Sequence, residues 1–320
     1  MRHEKECVYG QVQARATPVS SQTPGGKSSD GHEATPPSGL PSSTTPLFDS
    51  LDMRLMHHFS TQTAYSLSSS INAQKVWRDV VPDKAFKNHI LMHGVLSLAA
   101  NHYVHAHKST GDPADLHIYR TRGLHHQQVG LQLFRQQLQN PNDDQPHDVI
   151  LTFAATVGML TFADANNDQE TFTYDDALGF IAVLRGKQAL WRAGNGVAPD
   201  SDLAAAFFDP PPPEARIDLS DTAAALDQLY HDTKDDVRKA SIALLKGVIE
   251  NQTSSEFRIL GTWPAVLSDE FLHLLTIRDG LAVRVLEHYC IVLHSLRGLW
   301  WVGDFGSKLQ HAIRNSVVAS

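Results

Sequence analysis

Cysteine is nearly absent. The 320-residue chain has two, Cys7 in a polar tail and Cys290 in an apolar run near the other end. A closed structural zinc site takes about four ligands, so two distant thiols build neither a metal cage nor a disulfide framework. Their scarcity suits a reducing, intracellular setting. An excess of positive charge is also missing: 27 Lys and Arg against 35 Asp and Glu leave a net charge of -8 and a pI near 6.1. That balance argues against a surface that binds phosphate backbones. The N-terminus has no apolar stretch of about 7–15 residues to serve as a secretory signal. No uninterrupted membrane span is visible either. The most apolar run, Leu281 to Val302, is broken by Arg284, Glu287, His288, His294 and Arg297, which predicts a buried helix. Alternating β-branched runs are few and no Asn-Gly or Asp-Gly turn joins two of them, which argues against a β architecture.

What the chain does have is enough apolar material for a sizeable core, 42% of its residues. Residues 11–46 are the exception. They are rich in Ser, Thr, Pro and Gly, and read as a disordered linker. Gly26-Lys27-Ser28 within it resembles the end of a phosphate-binding loop, but residue 21 is Ser where that loop needs Gly. From Leu47 onward the apolar residues recur at helical spacing, so 47–320 reads as one all-α region, an irregular multi-helix bundle. Leu51, Leu55 and His58-Phe59 open a first helix. Leu91, Val95, Leu98 and His102, with Met92, Leu96, Ala99 and Ala100, predict a central helix that is apolar on most sides. Leu116 to Leu138 repeats the pattern through Leu124, Leu131, Phe134 and Leu138. Further helices are expected at 149–162, 174–191, 222–250, 268–276 and 305–317. Loops are expected at 164–176 and at 194–218, the latter with the run Pro210 to Pro213.

Eighteen histidines raise the alternative of a histidine-dependent metalloenzyme, with His89 and His93 at i, i+4 and the trio His102, His105 and His107 as candidate ligands. A hydrolytic zinc helix places Glu directly after its first His; residue 90 is Ile. Asn101 and His102 fit better as hydrogen-bonding groups near a helix end. Asp164, Asn166, Asp168, Glu170 and Asp175 approach a calcium loop, but Gln169 replaces its turn glycine and Asp175 its bidentate Glu. Flanked by Phe162, Phe172 and Tyr174, the same acids also suit an acidic-aromatic surface for a coactivator. No Gly-x-Ser-x-Gly elbow is present, and Gly194-Asn195-Gly196 lacks the third glycine of a dinucleotide fingerprint. No catalytic residue is assigned, and the chain is expected not to be an enzyme.

Three blocks carry a resemblance. One runs from Leu55-Met56-His57-His58-Phe59 through Trp77, Val81-Pro82 and Ala85-Phe86 to His93–His102. The second is Tyr119–Leu138. The third runs from Trp263-Pro264 through Ser268–Leu275 and His288-Tyr289 to Trp300-Trp301. In composition and order they resemble the regulatory domain of fungal binuclear zinc-cluster transcription factors, in the branch of the sterol uptake control proteins. Residues 1–10 resemble the tail of the zinc cluster itself. Cys7, with six residues before it and Val8-Tyr9 after it, sits where the last cysteine ligand of that cluster falls, the others lying upstream of Met1.

The resemblance implies a nuclear transcription regulator, with a cytoplasmic pool, acting on sterol or secondary-metabolite genes. Its helical domain would sense a small molecule or partner. Zinc is implied only with an upstream cluster, and DNA contact only through it. Other implied partners are an apolar molecule such as a sterol, a coactivator or full-length regulator, and a second copy in a homodimer. A pocket for the apolar molecule is expected among Met92, Leu96, Tyr289, Leu293, Leu296 and Trp300. The four tryptophans named have a plainer role as core bodies, with Pro82 or Pro264 beginning a helix or ending a turn. A stand-alone helical binding protein without DNA binding is the alternative reading.

Overall fold

A central helix covered on nearly every side organises the chain. The computed structural model describes residues 48–140, 146–167, 172–193, 196–251 and 255–318, all within the unit Leu47–Ser320. The expected zinc-cluster tail 1–10 with Cys7 and the linker 11–46 lie outside the described residues. Fifteen α-helical segments follow one another, with no strand among the described residues: α1 Ser50–His58, α2 Ala64–Ser66, α3 Ile71–Lys75, α4 Val81–Lys87, α5 His89–His107, α6 Pro113–Gln139, α7 His147–Asn167, α8 Tyr174–Ala193, α9 Ala204–Phe208, α10 Ser220–Asp232, α11 Asp236–Glu250, α12 Glu256–Val266, α13 Asp269–Thr276, α14 Gly280–Ser295 and α15 Phe305–Val318. Single π-helical turns at Phe59–Thr63 and Val76–Val80 join α1 to α2 and α3 to α4. The fold class is all-α, as the periodicity implies.

The helix starts obey local chemistry. Asp49 accepts hydrogen bonds from the Leu51 and Asp52 amides, while Asp52 accepts from the Asp49 amide, closing a capping box before α1. Asn88 caps α5 through the Leu91 amide, and Ser268 caps α13 through that of Phe271. Asp235 caps α11 through Arg238, and its own amide is tied to the Thr233 hydroxyl. This turn divides the single helix expected over 222–250 into α10 and α11: local side-chain bonds at Thr233 and Asp235 outcompete helix continuation.

α5 packs against α1, α4, α6 and α7, and thirteen of its residues are buried, Met92, Leu96 and His102 among them. Its contact with α6 differs from expectation. Leu124 and Leu138 stay exposed, while Tyr119, Gly123, His126 and Gly130 form the buried face. Two of these are glycines because the helices nearly touch: a Cβ on Gly123 would come within 2.9 Å of the Ala100 Cβ, and one on Gly130 within 2.9 Å of the Phe153 ring. The stretch His147–Asn166 of α7 has a mean hydropathy of 1.4, enough by length and composition to cross a bilayer, but 72% of it is buried inside the fold.

A second aromatic layer lies between α7, α8, α12, α14 and α15. Phe162, Phe180, Phe305 and Trp301 meet edge to face or tilted at 4.6–5.5 Å. The long helix expected over 281–302 is shorter. α14 stops at Ser295, and the chain turns through 296–304, where Gly303 has φ +46°. The Val302 carbonyl, which helix extension would have used, accepts from Asn166, and the Trp301 indole donates to the Leu67 carbonyl.

Pro264 neither begins a helix nor ends a turn; it lies inside α12. Its missing N–H leaves the carbonyl four residues earlier without a helical donor. The Tyr289 hydroxyl fills that position, donating to the Leu260 carbonyl at 2.6 Å from a fully buried side chain. Removing the hydroxyl by Tyr289→Phe is expected to cost about 1–3 kcal/mol, read as a lower urea midpoint at unchanged slope. Gly123→Ala, which forces α5 and α6 apart, is expected to cost about 1–3 kcal/mol by the same measurement.

Candidate functional site

Burying α5 along its length takes its polar side chains inside as well. Asp52 on α1 is fully buried and accepts Arg122 Nε at 2.7 Å, Arg122 Nη2 at 2.5 Å and His126 Nε2 at 2.8 Å. Burial alone would raise the Asp52 carboxyl, but the hydrogen bonds from Arg122, the Asp49 amide and His126 hold it below the ordinary carboxylate range. Burial in turn pushes His126 down against the pull of Asp52. His126 is therefore neutral, with its proton on Nε2 toward the carboxylate. Its bare Nδ1 accepts from His93 Nδ1 at 2.8 Å. His93 is held at about 4, by burial first and the neighbouring histidines second.

A second neutral pair follows one helical stretch along α5. His58 Nε2 lies 3.1 Å from His102 Nδ1, which also meets the Thr63 hydroxyl at 3.1 Å, while His102 Nε2 faces the Ser66 hydroxyl at 3.3 Å. One tautomer set links the chain, with His58 Nε2–H donating to His102 Nδ1, His102 Nε2–H to Ser66, and Ser66 to the Thr63 carbonyl, while the Thr63 hydroxyl shares the single Nδ1 lone pair with His58. Burial holds both imidazoles at about 4. His102 is thus a buried relay in mid-helix rather than a helix-end group.

Beside this pair opens a groove of about 560 Å³. Its lining comes from Tyr65, Ser66, Ser68, Ser69 and Gln74, from His102 and His105 of α5, from Ala215 and Ile217, and from Ser295, Leu296, Gly298, Leu299 and Trp300 where α14 ends. Glu256, in the first turn of α12, also reaches it. Its carboxylate is 98% enclosed and accepts from the Ser68 hydroxyl and the Ser69 amide, each at 2.8 Å, and from the Ser69 hydroxyl. Trp300 is buried under His102, ring centroids 5.1 Å apart, and its indole N–H has no acceptor among the described residues.

Of the six residues expected to line a pocket, Leu296 and Trp300 border this groove. Met92, Leu96, Tyr289 and Leu293 are core side chains, with Tyr289 engaged on α12 and tilted against Trp263 at 4.9 Å. Ser69 and Glu256 had no local sequence signal, and His105 stood out only as one of a candidate metal-ligand trio; α5, α12 and the loop before α3 bring the three to one groove. A second hollow, about 750 Å³, is bordered by Lys87, His89, Leu133 and Gln136.

The other constellations change character. His89 is exposed while His93 is paired to His126, and no group of three or more His, Cys, Asp or Glu side chains able to hold a metal occurs among the described residues. The acidic loop expected over 164–176 begins later, which also leaves no calcium-loop geometry at its first positions: Asp164 and Asn166 lie within α7 and are engaged by Gln127 and by the Trp301 and Val302 carbonyls, while Asp168, Gln169 and Glu170 lie outside the described residues. The acidic-aromatic surface is corrected as well, because Phe162 and Tyr174 are buried and Phe172 packs on Phe305 at 5.3 Å. Burial pushes the Cys290 thiol well up, removing it as a nucleophile.

Residues 54–190, which hold α5 and most of the helices around it, match the fungal specific transcription factor domain. Two curated relatives extend the likeness over 77% of the chain. It is 24% identical over 262 residues to sterol uptake control protein 2 of Saccharomyces cerevisiae, and 24% identical over 278 residues to the protein of the same name from Candida albicans. The chain spans 27% and 36% of the lengths of these relatives.

The neutral imidazoles have a measurable consequence. In the unfolded chain His58, His93 and His102 titrate near 6.5, whereas in the fold they hold out to about 4. As pH falls between these values the unfolded state takes up protons that the folded state refuses, so stability is full above about 6.5 and declines toward 4. A single imidazole accounts for up to about 3 kcal/mol of this loss. Scanning calorimetry from pH 7.5 to 4 is expected to show a steep fall in Tm, and His102→Gln is expected to flatten it whatever its effect at pH 7.5.

Proposed function

We propose that this chain is the regulatory region of a fungal transcription regulator of the zinc-cluster type, acting in the nucleus and without catalysis. The observation that carries the reading is the domain match over residues 54–190, continued by colinear similarity to two sterol uptake control proteins. The charge of -8 supports a division of labour in which DNA is reached only through a zinc cluster carried elsewhere, with Cys7 as its last ligand. Control works by population shift: a ligand or partner that prefers one packing of the helices around α5 exposes or hides a surface for a coactivator, a full-length regulator or a second copy. The genes under control are those of sterol handling, by likeness to the named relatives, or of secondary metabolism. A sterol-like ligand would meet Leu296 and Trp300 at the groove.

Fusing the chain to a heterologous DNA-binding domain tests this reading in a fungal cell. A several-fold change in reporter transcription, up or down, relative to the DNA-binding domain alone is expected. A correctly expressed, nuclear fusion that leaves the reporter unchanged would overturn it. For the sterol arm, lipid extraction of the purified chain followed by mass spectrometry is expected to recover a sterol, and recovery of nothing apolar counts against it.

A further inference from the structure

Among the described residues Glu256 has no cationic partner. Its side chain is 98% enclosed, yet its partners are the neutral donors of Ser68 and Ser69. No Lys or Arg lies among the residues lining the groove, and His102 and His105, the imidazoles that do, are both pushed below their ordinary value by burial. Enclosed carboxylates are otherwise paired with cations. A carboxylate offers about four lone-pair positions, and three are occupied. The second unmet group is the Trp300 N–H, which belongs to the same lining and has no acceptor among the described residues. Leu296, Leu299 and Ile217 add apolar surface to the lining, and the volume of about 560 Å³ suits a small organic molecule.

We infer that the groove is a binding site for a small organic amine, whose ammonium pairs with Glu256 and whose apolar body, bearing an oxygen acceptor, lies against Leu296 and accepts from Trp300. The site departs from a wholly apolar sterol pocket in carrying an enclosed negative charge. It deepens the regulatory reading above by naming the ligand class, and rests on that reading only for the consequence of binding.

Isothermal titration of the full purified chain with tyramine, and with tyrosol, which replaces the ammonium by a hydroxyl, tests the site. Tyramine is expected to bind saturably and tyrosol about thirtyfold or more weaker, the difference an enclosed charge pair makes. Glu256→Gln is expected to bring tyramine down to the level of tyrosol without changing tyrosol. Trp300→Phe, which keeps the ring and deletes the donor, is expected to weaken both compounds about fivefold. Equal binding of the two compounds, absence of saturable tyramine binding, or full tyramine affinity in a folded Glu256→Gln chain would each overturn the inference. The readout is independent of transcription: binding with a silent reporter fusion removes the regulatory reading and leaves the site, and an active fusion without amine binding does the reverse.

Discussion

Enclosure of α5 is the constraint from which the rest follows. A helix covered by α1, α4, α6 and α7 shuts solvent away from His93, Ser97 and His102, so each must find a partner inside or remain uncharged. His93 donates a hydrogen bond to His126, which is tied to Asp52 and through it to Arg122. Ser97 donates to the Gly123 carbonyl, and His102 joins His58, Thr63 and Ser66. These bonds connect α5 to α1, α6 and the π-helical turn that follows α1, so its polar positions specify which elements surround it and in what register.

The same enclosure explains the close α5–α6 contact. Gly123 and Gly130 let the backbones approach where longer side chains would hold them apart, and the apolar residues left over on α6, such as Leu124 and Leu138, face outward. Farther along the chain Pro264 and Tyr289 form a compensated defect: the helix loses one donor and a hydroxyl from α14 replaces it. That exchange fixes α12 against α14 and places Glu256, at the start of α12, on the groove wall. Groove and core are thus one construction, and a ligand bound at Glu256 and Trp300 would act on helices that also contact the buried histidines.

Much of the architecture is legible without coordinates because helix formation is local. The spacing of Leu91, Val95 and Leu98 defines α5, and the blocks around Trp77, Trp263 and Trp301 are core, as their bulk suggests. The division of 222–250 is harder to read, since Thr233 and Asp235 are ordinary helix-surface residues until their hydroxyl and carboxylate bond to nearby amides. Pro264 misleads in the opposite sense, because its tolerance inside α12 depends on a hydroxyl 25 positions away in the chain.

Sequence by itself determined the all-α class, the central helix, the family resemblance and the lack of a basic surface, all of which rest on periodicity, composition and short-range order. Only the tertiary structure decided which face of α6 is buried, that the calcium-like acids belong to a helix, and that Ser69, Glu256, His102 and Trp300 share one groove. The physical reason is distance along the chain. Glu256 is 187 positions from Ser69, and a contact of that separation leaves no periodic trace in either neighbourhood, because each residue is chosen for a partner that folding alone supplies.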